Sequence, residues 1–105
     1  MNPLHGVARI LLIADDRETG EPYRDALAAG GYEVSQAISF VDALDSLMPD
    51  PDVILLCELA MFAYPAQNAQ VLRVPAEMTP AAVVVEVHRR VALRATLYAT
   101  IAQAA

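Results

Sequence analysis

A cysteine stands where an aliphatic run ends. Residues 53–57 read Val-Ile-Leu-Leu-Cys, and Glu58 follows. A second apolar run, Ala8 to Ala14, ends on the acidic pair Asp15-Asp16. In open α/β sheets, ligands gather outside the carboxyl ends of parallel strands. A thiol placed there serves as a nucleophile or a redox group when nearby cations lower its pKa. Adjacent carboxylates there can hold a hard divalent cation such as Mg²⁺. The corner therefore offers three chemistries: a thiol at Cys57, weak metal binding at Asp15 and Asp16, and a polar strand end at Glu58. The expected neighbours of Cys57 are acidic, which raises a thiol pKa. An inert, buried Cys57 beside an idle acidic pair is the plainer alternative.

These residues need elements to position them. Ala8 to Ala14 and Val53 to Cys57 read as strands buried on both faces. A helix is expected within residues 18–29, with Tyr23, Ala26 and Leu27 turned inward. Pro22 fits only a first turn, so this helix is expected to start late. Gly30-Gly31 supplies its stop. Tyr32 to Ala37 alternates and reads as a strand nearer the edge. Ser39 and Asp42 have capping-box spacing, ahead of a helix burying Phe40, Val41, Leu44 and Leu47 and ending at Pro49-Asp50-Pro51. Residues 60–69, with Met61, Phe62 and Tyr64, show no period and read as loop filler. Gln70 to Val74 is a short strand. Thr79-Pro80 pairs an N-cap with a first-turn proline, opening a helix to about Gln103. His88, Arg89, Arg90 and Arg94 form a basic cluster on it, read as a solvated face able to pair with a partner. His5 lies in an irregular N-terminal segment. Strands alternating with helices through short links imply a parallel sheet with right-handed crossovers.

The chain has 105 residues, enough for one domain with a core. Its 56% hydrophobic content exceeds what so small a domain can bury, which favours association. The net charge of −6 argues against nucleic acid and anionic membrane as partners. One cysteine cannot form an internal disulfide, which favours a reducing cytoplasm. The apolar run Ile10 to Ala14 is too short for a signal-peptide core or a membrane span.

The order of motifs resembles the response-regulator receiver domain, the CheY-like fold. Arg9 to Asp16 looks like its first strand and acidic pair. Ala29 to Val34 resembles its junction of first helix and second strand. Ala43-Leu44 followed by Pro51 to Leu56 resembles its second helix and third strand. Val71-Leu72-Arg73-Val74-Pro75 and the following helix look like its fifth strand and helix. The resemblance implies a phosphoacceptor Asp at the end of strand three; this chain has Cys57. It implies a Lys before the proline after strand five; this chain has Val74. It implies a Ser or Thr ending strand four, for which no strand is evident. Between Cys57 and the last strand about twelve residues remain, too few for a helix, a strand and a second helix. Slipping one residue would bring Glu58 to the acceptor position, but alternation would turn it to the other face.

The expected fold is a shortened, flavodoxin-like doubly wound parallel sheet of about four strands with a long C-terminal helix. The expected function is a pseudo-receiver in signal transduction, with no catalytic residue and no cofactor. It would act by phosphorylation-independent docking to itself and to an unnamed signalling protein. The expected surface is Val71, Val74, Val84, Val87, Val91, Arg94 and Tyr98, within a homodimer over residues 70–104, simple or element-exchanged. The alternative is a metal- or redox-responsive regulator using Asp15, Asp16 and Cys57. A small flavodoxin-like enzyme lacks support, since no Gly-rich phosphate loop or histidine constellation is present.

Overall fold

A computed structural model gives the architecture. It describes residues 7–39, 42–43, 51–57 and 70–104, with side chains through Leu97. The elements are β1 (Arg9–Ile13), α1 (Arg17–Ala29), β2 (Glu33–Ala37), β3 (Val53–Cys57), β4 (Val71–Val74) and α2 (Pro80–Ala104). The four strands form one parallel sheet in the order β2-β1-β3-β4. The second strand lies at an edge, as its alternating pattern implies. In the doubly wound order 2-1-3-4-5, the neighbour of the third strand is the fourth. Here the last strand takes that place, pairing directly with β3 through Ile54↔Val71 to Cys57↔Val74. The sheet is thus shortened by drawing its final strand inward.

Strand alternation divides the core between two faces. One face carries Ile10 and Leu12 of β1 with Ala14 just beyond it, Val53, Leu55 and Cys57 of β3, and Leu72 and Val74 of β4. Tyr23 and Leu27 of α1 and Val83 and Val87 of α2 cover it. The opposite face carries Leu11, Ile13, Ala37, Leu56 and Val71, with Ala43 packed against them. Leu12, Leu27, Leu55 and Val87 are wholly shielded from solvent. Each contributes about 2 kcal/mol by leaving water.

Helix α1 starts at Arg17, earlier than the position of Pro22 suggested. Asp16 caps it, with its carboxylate accepting from the Thr19 amide at 2.8 Å. Pro22 sits inside the helix. It removes one intrahelical bond, and the cap together with buried Gly20, Tyr23 and Leu27 carries the helix through it. The C-terminal end is a Schellman turn. Gly31 has φ +96, its amide donates to Ala28, and the Tyr32 amide donates to Leu27. The Ser39 hydroxyl accepts from the Asp42 amide, and the Asp42 carboxylate accepts from the Ile38 amide. Residues 42–43 are helical; Phe40, Val41, Leu44, Leu47, Met61, Phe62, Tyr64 and His5 lie outside the described residues.

Helix α2 opens as expected, with the Thr79 hydroxyl accepting from the Ala82 amide. Its 25 residues span about 37 Å, close to the 42 Å long axis of the whole molecule. Among the described residues no helix is long and apolar enough to cross a membrane.

Candidate functional site

The carboxyl ends of three adjacent strands meet at one level. The register sets Leu12 beside Leu55 and Ile13 beside Leu56, so Ala14 stands level with Cys57. Cys57 in turn pairs with Val74. All three point to the face beneath α1 and α2 and belong to one apolar cluster. Ala14, Cys57 and Val74 are 2%, 1% and 0% exposed. This row is a dry apolar seam, where the resemblance implies an acceptor carboxylate and a lysine. A thiolate in such a seam would be desolvated, which disfavours it.

The acidic pair lies just outside the seam, and both residues are exposed. The Asp16 carboxylate is occupied on both oxygens. One accepts from the Thr19 amide at 2.8 Å, and the other from the Thr19 hydroxyl at 3.0 Å. These bonds, the amide first, hold its pKa below the ordinary aspartate value. An open surface depression runs over Asp16, Arg17, Glu18 and Thr19. Glu58 lies outside the described residues. Among the described residues no three His, Cys, Asp or Glu side chains gather into a metal-binding group. The donor set does not fit the receiver-type Mg²⁺ corner. A cysteine replaces one carboxylate, and the helix cap engages another.

The basic cluster on α2 divides into two parts that composition alone does not separate. Arg89 is a solvated cation, 77% exposed and 3.7 Å from Glu86. Arg90 turns inward, bonding Glu86 through Nε and the Val71 carbonyl through Nη1, each at 3.1 Å. Arg94 donates from Nη1 to the carbonyls of Pro51 and Asp52. These two arginines tie α2 to the starts of β3 and β4, so they are structural and not a free polar face. His88 is exposed, and its Nδ1 lies 3.2 Å from the Tyr32 hydroxyl.

The expected interaction surface also needs correction. Val71, Val74 and Val87 are 2%, 0% and 0% exposed, so they belong to the core of this chain. Val84 and Val91 are partly buried against that core. The Tyr98 side chain lies outside the described residues. Among the described side chains of α2, the large apolar residues that face solvent are Val85, Leu93 and Leu97, at 69%, 50% and 50% exposure. Their spacing of four and eight was visible in the sequence. The inward stripe of Val83, Val84, Val87 and Val91 is the stronger apolar pattern on the same helix.

No family model matches the sequence, and no curated protein matches it. The structure is similar to the crystal structure of a response regulator receiver domain protein (CheY-like) from Methanospirillum hungatei JF-1. The two are 14% identical, with a TM-score of 0.62, over 82% of this chain and 94% of that one. Likeness at that identity speaks to fold, and the fold of this chain is the CheY-like receiver fold in a shortened, four-stranded form.

Proposed function

We propose that this chain is a pseudo-receiver, a signal-transduction module that works by protein association and not by accepting a phosphoryl group. One observation carries the reading: Ala14, Cys57 and Val74 close the end of the sheet with apolar atoms. Aspartyl phosphorylation requires a carboxylate nucleophile, a bound Mg²⁺ and a cation for the transferred group. The seam offers neither the carboxylate nor the cation, and the Asp16 carboxylate serves helix α1. The redox alternative is weakened by the burial of Cys57, at 1% exposure. Association is the remaining activity, with a homodimer over residues 70–104 as its simplest form. The solvent-facing apolar side chains of α2 support it.

The test combines Mg²⁺, a small acyl-phosphate donor, intact-mass measurement and light scattering over a range of concentrations. The expected result is an unchanged mass and a dimer that ignores both additions. A phosphoryl adduct, or a dimer that appears only with the donor, overturns the proposal.

A further inference from the structure

We infer that Met78 is an oxidation-sensitive staple: a peroxide turns its thioether into a sulfoxide and so loosens the start of α2 from α1. The inference stands apart from the association proposed above, and its readouts need no dimer.

Two described residues carry sulfur, Cys57 and Met78. Cys57 is closed to a reagent at 1% exposure. Met78 is partly buried and packs against the core cluster that holds Tyr23, Val74, Val83 and Val87. It lies in the short link between β4 and α2, so an oxidant can reach it without unfolding the sheet.

Its position gives it leverage. Thr79 is the N-cap of α2: its hydroxyl accepts from the Ala82 amide and its carbonyl from the Val83 amide. Met78 therefore precedes the cap, and Val83 is the fourth residue after it. An apolar pair at those two positions forms a hydrophobic staple, which fixes the angle at which the chain enters the helix. Val83 is 0% exposed and lies in the cluster that Met78 covers. The backbone of Met78 is held as well. Its amide donates to the Pro75 carbonyl at 3.0 Å, and its carbonyl accepts from the Tyr23 hydroxyl at 2.8 Å. Helix α1, helix α2 and the link from β4 thus meet at this one residue.

The chemistry needs only a two-electron oxidant of the peroxide class. The sulfur lone pair attacks one oxygen of hydrogen peroxide, and an S–O bond forms as the O–O bond breaks. The attacked oxygen passes its proton to the departing hydroxyl, which leaves as water. Sulfur loses two electrons and the peroxide takes them up. The product is a strong hydrogen-bond acceptor set against an apolar cluster. Buried there without a donor it is costly. The Tyr23 hydroxyl already serves the Met78 carbonyl. The sulfoxide therefore either draws Tyr23 off that carbonyl or swings out to solvent, and the staple opens in both cases.

The experiment treats the native chain and Met78→Leu with hydrogen peroxide and follows thermal unfolding by circular dichroism. Cleavage after arginine releases residues 74–89, in which Met78 is the only methionine, so its oxidation is read by peptide mass. The expected result is one added oxygen on that peptide from the folded chain and a midpoint lower by about 5 °C. Methionine sulfoxide reductases are expected to restore both. Met78→Leu, a volume-conserving change, is expected to keep its midpoint under peroxide. No oxygen on the peptide until the chain unfolds overturns the inference. So does an oxidised peptide with an unmoved midpoint, or an equal fall in Met78→Leu. Should Met78→Leu fail to fold, the native chain decides: a midpoint that stays low after the peptide has lost its oxygen also overturns it.

Discussion

Arg94 and Asp52 lock the last helix to the start of the third strand. The Arg94 Nη1 lies 3.3 Å from the Asp52 carbonyl, and its Nε lies 4.0 Å from the Asp52 carboxylate. Asp52 also closes the start of β1, since its carboxylate accepts from the Arg9 amide and its own amide donates to the Arg9 carbonyl, both at 2.8 Å. One residue thus binds two strands and a helix. Arg94→Ala is expected to cost about 2 kcal/mol, because it loses two carbonyl bonds and the ion pair, and Asp52→Ala about 1 kcal/mol, because only the Arg9 amide bond and that ion pair go with its side chain. Arg89→Ala, removing an exposed and distant ion pair, is expected to change stability by less than about 0.5 kcal/mol. Urea unfolding of the three variants checks the ranking; an Arg89 effect as large as that of Arg94 would contradict the division of the basic cluster.

Gly20 marks the closest approach of α1 to the sheet. A Cβ there would lie 2.6 Å from Leu12 Cδ2 and 2.9 Å from Gln36 Nε2. Alanine in a helix interior ordinarily stabilises by about 1 kcal/mol relative to glycine. Overpacking against fully buried Leu12 costs about 1–3 kcal/mol. Gly20→Ala is therefore expected to lower the thermal midpoint despite the better helix propensity. A raised midpoint would mean that α1 sits further from the sheet.

Asp16 links helix α1 to pH. Its pKa is lowered in the folded chain by the Thr19 amide and then the Thr19 hydroxyl. A group with a depressed folded pKa stabilises the fold above its unfolded pKa, and that stabilisation is lost as pH falls through the folded value. The loss is expected below about pH 4, where unpaired aspartates begin to protonate. Asp16→Asn keeps a capping side chain and is expected to flatten this acid dependence, while Asp16→Ala lowers stability at neutral pH as well. Acid titration followed by circular dichroism separates the two. An unchanged acid limb in Asp16→Asn would remove the carboxylate from this role.

Placing a carboxylate at the seam is expected to harm the fold and not to create a phosphoacceptor. Cys57→Asp would bury a charge among Ala14, Leu55 and Val74 with no cation beside it. The variant is expected to lose several kcal/mol near neutral pH and to recover part of this in acid, where the carboxyl is neutral. Native Cys57 is expected to resist maleimide until the chain is unfolded. Rapid native labelling would contradict its burial.

The strands were legible in the sequence because their aliphatic runs are short and bounded by Asp, Gly and Pro. Val53–Cys57 and the Thr79-Pro80 helix start stand where the pattern sets them. The start of α1 was misplaced because Pro22 suggests a boundary, whereas the Asp16 cap and the packing of Tyr23 and Leu27 outweigh it. The apolar seam could be named residue by residue, since alternation alone turns Cys57 to the face of Val53 and Leu55. Its alignment with Ala14 and Val74 required the register across three strands, which joins residues 60 positions apart. The inward turn of Arg90 and Arg94 was invisible for a related reason. Their partners are backbone carbonyls of distant residues, and a carbonyl leaves no mark in a sequence.

The seam also sets where the molecule can breathe. In most doubly wound sheets the carboxyl ends of the central strands are the wettest part of the core. Here Ala14, Cys57 and Val74 make them among the driest, and the Ala14 amide is itself held by the Ala37 carbonyl at 3.1 Å. Amide protons of β1 and β3 should then exchange with deuterium only through global unfolding, with no faster local route at the strand ends. The strand ends that ligands favour in open α/β sheets are here expected to be the most slowly exchanging of the described residues.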